Sequence, residues 1–147
     1  MVHKSGAGWK FQNGKFVSLV TMPDRLVSIG ARHDGGIWIC SGGAKLFKYE
    51  EGQKSIKVGE LASTGEIVEP LTLFEDPSGA VWIGTAASGL FRFDGTNVTR
   101  IGTSRGEIQS ITGDKEGNIW VGTSGDGLSR LKPARSSAIQ RGRRAAF

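Results

Sequence analysis

The sequence predicts an all-β protein built from repeated four-stranded antiparallel units, and two observations support this prediction. First, the stretch 110–131 recurs upstream at 28–49 and 72–93, and the three copies align without a gap. The tryptophans at their shared position are Trp38, Trp82 and Trp120. Second, no stretch shows the apolar spacing of about 3.6 residues that is typical of amphipathic helices. Self-similarity at a period of about 40 residues is the sequence signature of a repeat architecture.

Each copy contains a predicted turn between two strands. Asp76-Pro77-Ser78-Gly79 has the residues of a type I turn, with Gly at the position where a positive φ closes the hairpin. Residues 32–35 and 114–117 occupy the same place in the other copies. Apolar runs rich in β-branched residues and Trp flank these turns, which predicts a β-hairpin in each copy.

A Gly- and Ser-rich link and a third strand complete the core of each copy, the third strand beginning at Leu46, Leu90 or Leu128. A polar fourth strand is predicted at 54–58 and 97–101, and none in the third copy. Each unit is too small to bury its apolar face alone, so neighbouring units must stack. Four-stranded units at this period predict the blades of a β-propeller.

In chain order, the predicted organisation starts with residues 1–20, the outer strands of an incomplete blade joined by a turn at Asn13-Gly14. Blade one, blade two, blade three without its outer strand, and a basic, disordered tail follow at 21–59, 60–102, 103–132 and 133–147. We therefore expect a partial propeller of about three blades and two N-terminal outer strands, which does not close into a ring within one chain.

The repeated motif D-x-x-G-x-[IV]-W-[IV]-G-T-x-x-x-G-L spans 114–128, and 76–90 matches it closely. This motif resembles the two-component regulator propeller repeat, a ligand-sensing module of bacterial hybrid histidine kinases and related regulators. The resemblance covers about 24–131. Copy one departs from the motif at Arg32, Cys40 and Lys45. The resemblance implies a parent protein that detects an extracellular ligand, often carbohydrate-like, and signals to a kinase.

The formal net charge of +5 comes entirely from the C-terminal tail. Residues 1–131 carry equal numbers of acidic and basic side chains, and the excess lies on Lys132, Arg135, Arg141, Arg143 and Arg144. We therefore expect no nucleic acid partner for the blades. The tail is expected to be solvated, and its basic side chains could contact phosphates or an anionic membrane. The resemblance implies a periplasmic location, although the sequence has neither a secretory signal nor an apolar run long enough to span a bilayer.

The sequence offers no catalytic set. His3 and His33 are the only histidines and Cys40 is the only cysteine, so neither a Ser-His-Asp arrangement nor a metal-binding pair can be assembled. Cys40 aligns with glycines and is predicted to be a buried thiol. We expect no enzyme, no cofactor and no metal.

Two repeated residue types have alternative interpretations. Asp76 and Asp114 could be calcium ligands, but their position at the start of a type I turn explains them better. The three repeated tryptophans are predicted to pack between blades, as the core of the repeat, and not to stack on sugars or bases.

A binding surface is expected at the mouth of the central channel, where the links between blades and between second and third strands meet. The candidate ligand-binding residues are Asp24, Arg25, Ser88, Ser104, Arg105, Glu107, Ser124 and Asp126. The predicted function is a non-catalytic ligand-sensing or binding segment. Two alternatives are a propeller enzyme similar to streptogramin lyases and a structural interaction platform. The expected partners are further propeller repeats of a parent sensor or a second copy of the chain in a homodimer.

Overall fold

The computed structural model describes residues 6–22, 27–42, 44–61, 68–102, 106–133 and 139–141. All the regular elements in these ranges are β-strands, which form three four-stranded antiparallel sheets and one two-stranded sheet. Within these ranges no helix has the length and apolar character that crossing a bilayer requires. The predicted all-β fold with open, four-stranded blades is confirmed.

The two-stranded sheet is a hairpin of β1 (Gly6–Gln12) and β2 (Lys15–Met22). In each four-stranded sheet, or blade, the strands lie side by side in chain order. Blade one contains β3 (Val27–Ala31), β4 (Ile37–Ser41), β5 (Lys45–Tyr49) and β6 (Ile56–Glu60). Blade two contains β7 (Pro70–Glu75), β8 (Val81–Thr85), β9 (Leu90–Phe93) and β10 (Val98–Ile101). Blade three contains β11 (Glu107–Gly113), β12 (Ile119–Ser124), β13 (Gly127–Pro133) and β14 (Ile139–Arg141).

Blade three has a fourth strand, so the prediction that it lacks its outer strand and ends at residue 132 was wrong. β14 pairs antiparallel with β13, with Leu131 opposite Arg141 and Pro133 opposite Ile139. An outer strand at the edge of a sheet needs only the backbone groups of one neighbour. Such a strand leaves little trace in the side-chain pattern, and residues 133–147 were therefore interpreted as a tail.

The predicted turns close as expected. The amides of Gly35, Gly79 and Gly117 donate to the carbonyl of the first turn residue at 3.4, 2.9 and 3.3 Å, and their φ angles are 99°, 90° and 85°. In the hairpin, Asn13 and Gly14 both have positive φ, 52° and 76°, as a type I′ turn requires.

Successive side chains of a strand point to opposite faces of its sheet. We name the face of each blade that carries the repeated tryptophan its forward face, because it packs on the following blade, and the opposite face its rear face. The innermost strands β3, β7 and β11 lie next to one another. The blades are thus stacked in sequence order around one side of a common axis.

The forward face of blade one packs on the rear face of blade two. Trp38, Cys40 and Leu46 form one apolar cluster with residues of blade two that include Ile83 and Phe93. The rings of Trp38 and Phe93 meet edge to face with centroids 6.2 Å apart, a geometry that aromatic pairs favour.

The next interface repeats this arrangement. Trp82 and Leu90, both with no exposed surface, share a cluster with Ile119, Val121 and Leu131 of blade three. Blade two is therefore covered on both faces, and it forms the centre of the core.

Two glycines allow the innermost parts of neighbouring blades to approach closely. A Cβ on Gly84 would overlap Cγ2 of Ile108, and a Cβ on Gly30 would lie 2.9 Å from Cβ of Leu73. Real Cβ atoms need more room than this. The blades can therefore lie this close together only because Gly84 and Gly30 have no side chains.

Candidate functional site

The antiparallel order of the strands gives the blade stack two edges. The link edge carries the connections between second and third strands and those between blades, and it corresponds to the predicted channel mouth. The turn edge carries the hairpin turns, both those between first and second strands and those between third and fourth strands. The two edges lie at opposite ends of every strand.

In the links of blades two and three, a threonine side chain is hydrogen-bonded to the backbone of a glycine four residues later. The Thr85 hydroxyl donates to the Gly89 carbonyl at 2.7 Å and accepts the Ser88 amide at 2.9 Å. The Thr123 hydroxyl donates to the Gly127 carbonyl at 2.9 Å. Because Gly89 and Gly127 have φ angles of 84° and 75°, the repeated Gly-Thr and Gly-Leu pairs of the motif have a geometric role.

The link edge of blade three brings three of the candidate residues together. Glu107 and Ser124 are opposite each other in the pairing of β11 with β12. A Cβ on Gly106 would lie 3.2 Å from the Ser124 carbonyl oxygen and 3.6 Å from Oδ2 of Asp126. Glu107 and Ser124 are exposed and Asp126 is half-buried. We name Glu107, Ser124 and Asp126 the blade-three corner.

The other candidates are distributed differently. Ser88 lies in the link of blade two, half-buried, and its carbonyl accepts Nε of Arg100 at 3.0 Å. Four candidates lie outside the described residues: Asp24, Arg25, Ser104 and Arg105. The structure thus groups three of the eight predicted residues and places Ser88 on the neighbouring blade.

A groove of about 460 Å³ lies at the turn edge of blade one, and the sequence analysis missed it. It is lined by Gly36, Ile37, Tyr49, Glu50, Glu51 and Gln53. The Glu51 carboxylate accepts Nζ of Lys10, from the hairpin, at 2.8 Å. The sequence signal for this groove was the consecutive pair Glu50 and Glu51. Acidic residues are so common in turns that such a pair does not by itself indicate a binding site.

The aspartate of the motif is the centre of a local hydrogen-bond network in blade two. Oδ1 of Asp76 accepts the amides of Ser78 and Ala80 at 2.9 and 3.1 Å. Its Oδ2 accepts Nε1 of Trp82 at 2.8 Å. The turn aspartate therefore fixes both the turn and the indole six residues later, which explains why the motif keeps them at that spacing.

Blade three repeats this network. Oδ2 of Asp114 accepts Nε1 of Trp120 at 2.8 Å, and Oδ1 accepts the Asn118 amide at 3.0 Å. The bond from Trp120, followed by that from the Asn118 side chain, lowers the pKa of Asp114 to about 2. Both aspartates are thus engaged in the turn role that the sequence predicts for them.

Blade one replaces this network with a contact from its neighbour. Arg32 stands where the motif has aspartate, and its guanidinium lies 5.4 Å from the ring centroid of Trp38. Nε1 of Trp38 instead donates to Oε2 of Glu75 in blade two at 3.1 Å. The His33 amide donates to the same oxygen at 2.8 Å. The carboxylate that blade one lacks is supplied across the interface.

The histidine and cysteine of the described residues lie away from the blade-three corner. Nδ1 of His33 is 3.9 Å from Oε1 of Glu75 at the turn edge. Cys40 is fully buried, and burial raises the pKa of its thiol to about 12. Cys40 is therefore a protonated core side chain at neutral pH.

Comparisons with known proteins agree with this architecture. Residues 102–125 match the sequence model of the two component regulator propeller family. The comparison with curated proteins returns no match. Among solved structures, the chain is similar to the extracellular domain of a hybrid two component system from B. thetaiotaomicron, with a TM-score of 0.68 and 23% identity over 97% of this chain and 22% of that one.

Two further structures are similar. One is described as a gluconolactonase (TM-score 0.73, 16% identity, 91% of this chain and 54% of that one). The other is a streptogramin B lyase (TM-score 0.64, 18% identity, 84% of this chain and 42% of that one). The chain thus spans about a fifth to about half of the proteins it resembles. The chain has a β-propeller fold, and the match at residues 102–125 confirms the resemblance to two-component regulator propellers that its repeated motif indicates.

Proposed function

We propose that this chain is a non-catalytic, ligand-binding segment of a sensor propeller of the two-component regulator type. The observation that carries the proposal is the blade-three corner, where the exposed Glu107 and Ser124 and the half-buried Asp126 lie together at the link edge of the blade stack. Glu107 and Ser124 also fall within residues 102–125, the segment that matches the family. Binding residues are commonly displayed at loops and strand ends that a rigid scaffold holds in place.

The chemistry of the corner favours a ligand rich in hydroxyl groups. Glu107 and Asp126 are carboxylates that accept hydrogen bonds, and the Ser124 hydroxyl both donates and accepts. A carbohydrate supplies many hydroxyl donors to these carboxylates. A neutral sugar is not repelled by their negative charge, and the positive charge of an amino sugar is attracted to it. The similarity to the extracellular domain of a hybrid two component system supports a sensing role.

The proposal is tested by titrating the chain with neutral, amino and acidic oligosaccharides while following its backbone amide NMR signals. We expect shifts at residues 106–107 and 123–127 with neutral or amino sugars, and weaker ones with acidic sugars, because like charges repel. Glu107→Gln should reduce these shifts. The matched control is Glu50→Gln at the turn edge, which should leave them unchanged.

Two results would contradict the proposal. One is the absence of shifts with every sugar class at saturating concentration. The other is a set of shifts confined to the groove at Glu50 and Glu51, which would place binding at the turn edge.

A second candidate function, a propeller lyase, rests on the similarity to streptogramin B lyase. His33 is the histidine that the structure describes, and it lies at the turn edge with its amide bonded to Glu75. A chromatographic assay for ring opening of a streptogramin B antibiotic separates the two functions. Turnover that is lost in His33→Ala would favour the lyase and refute the non-catalytic proposal.

A further inference from the structure

Two apolar faces of the blade stack are uncovered in the part of the chain that the structure describes. At one end, on the forward face of blade three, Trp120 and Leu128 are only partly buried. At the other end, the hairpin presents Trp9, Phe11 and Phe16, whose exposed fractions are 59%, 64% and 72%. Aromatic side chains exposed together mark interaction surfaces in soluble proteins.

The forward face of blade three is equivalent to faces that are covered elsewhere in the chain. The equivalents of Trp120 are Trp38, which is 8% exposed, and Trp82, which is fully buried. The equivalents of Leu128, Leu46 and Leu90, are fully buried. In both cases the cover is the rear face of the following blade. The partner that fits the forward face of blade three is therefore a rear face.

The covering residue has a defined position in the blade. Phe93 ends the third strand of blade two, and its ring meets that of Trp38 in an edge-to-face arrangement. Leu131, its equivalent in blade three, clusters with Trp82. In both interfaces, a tryptophan on a second strand packs on an apolar residue in the second half of a third strand. The outer half of a blade is enough to provide that residue.

The hairpin is such an outer half and has its apolar side turned outward. Phe11 stands before the hairpin turn as Phe93 does, and Phe16 opposes Phe11 as Val98 opposes Phe93. The Phe11 and Phe16 rings are 5.1 Å apart. Lys10 points to the other side, where it bonds Glu51 of blade one. Phe11 and Phe16 therefore face away from blade one and form a rear face.

We propose that a second copy of this chain covers both faces by head-to-tail contact. The forward face of blade three in one copy packs on the hairpin of the other, with Trp120 against Phe11. Each copy offers one face of each kind, so two copies form two identical contacts and a closed pair. Two chains supply six blades and two hairpins, which make eight positions around the axis, within the range of about four to eight blades that propellers close with.

The experiment measures the mass of the whole chain by light scattering after size exclusion, over a wide dilution series. The wild-type chain should have twice the mass of one chain. Phe11→Glu and Leu128→Glu should each have the mass of a single chain, because a carboxylate desolvated in either face destabilises the contact. The matched control is Ile56→Glu, since Ile56 is 50% exposed on an outer strand inside the stack and its replacement should leave the dimer intact.

Mixing the two single-chain variants tests the head-to-tail geometry. One variant keeps an intact forward face and the other an intact rear face, so the mixture should regain a dimer through one contact, at higher concentration than the wild type. A wild-type chain that stays monomeric would overturn the proposal. A Leu128→Glu variant that still dimerises would also overturn it, because two copies would then pair in another way, for example symmetrically through their β1 edges. A mixture of the two variants that stays monomeric would overturn it as well. Circular dichroism of each variant verifies that its blades remain folded.

Discussion

At the scale of single residues, the carboxylate that receives each indole N–H is the feature that distinguishes the blades. Asp76 and Asp114 accept the indole N–H groups of Trp82 and Trp120 within their own blades. Glu75 accepts the indole N–H of Trp38 from the neighbouring blade. The motif predicted the turn that holds each aspartate, but not its bond to the indole. The replacement of aspartate by Arg32 was visible in the sequence, but its compensation by Glu75 depends on which blades are neighbours.

Removing the Glu75 carboxylate should destabilise the interface between blades one and two. Glu75→Ala leaves the indole N–H of the buried Trp38 without its acceptor, and a buried donor that loses its partner costs about 1–3 kcal/mol. The His33 amide, which bonds the same carboxylate, is exposed and can bond water instead. Urea unfolding measures the free energy of unfolding. Glu69→Ala, an exposed carboxylate on the same blade, is the control and should have little effect. Equal losses in the two variants would contradict the inter-blade role.

The lowered pKa of Asp114 predicts a pH dependence of stability. Its folded-state pKa, about 2, lies below the ordinary value of 3.8, so the ionised carboxylate stabilises the fold above 3.8 and this contribution is lost as the pH falls toward 2. Asp114→Asn should therefore unfold more easily than the wild type at about pH 6, and the difference should shrink between about pH 4 and pH 2. A difference that stays constant over this range would show that charge is not responsible.

At the scale of elements, the strands that face the core were predictable from sequence, and those at the surface were not. β8 and β12 follow a turn and carry Trp between β-branched residues, a pattern typical of strands that face a core. β14 has no such pattern, because an edge strand needs only backbone pairing with one neighbour. The same distinction applies to the site. Glu107, Ser124 and Asp126 could be assigned to links, but their convergence depends on the register between β11 and β12.

The close approach of β8 and β11 predicts a cost for any side chain at Gly84. In Gly84→Ala the new Cβ would overlap Ile108 and lie 2.8 Å from Cγ2 of Thr72, and overpacking of this kind costs about 1–3 kcal/mol. Denaturant unfolding measures this loss. Gly102→Ala is the matched control, because nothing lies within 4 Å of its Cβ position. If both variants are as stable as the wild type, the glycine is not what sets the blade spacing.

At the scale of the whole molecule, stability is arranged along the stack. In a repeat protein, each unit contacts only its neighbours, so a unit covered on both faces is held more firmly than one at an end. Blade two has this position, and every residue of β8 is buried. The hairpin touches blade one through contacts such as Lys10 with Glu51 while its aromatic rings face solvent.

Amide hydrogen exchange should therefore follow a gradient. We expect the slowest exchange in β8 and faster exchange in β14 and in the hairpin, because local opening requires the loss of fewer buried contacts at the ends. Mass spectrometry of peptides after timed exchange measures the gradient at a concentration where the chain is monomeric. Uniform protection across the three blades would mean that the stack opens as a single cooperative unit.

The carboxylate that Glu75 supplies to blade one also limits how such an array can lengthen by gene duplication. A second blade one inserted after the first would place Ala31 where Glu75 now stands, and Trp38 would lose its acceptor. A second blade two inserted after the first would place a glutamate where Gly113 now stands, and there even a Cβ would lie 3.0 Å from Cζ of Phe74. Blade one therefore needs blade two as its following neighbour, because a duplication of both blades keeps each copy of Trp38 paired and a duplication of blade one alone does not.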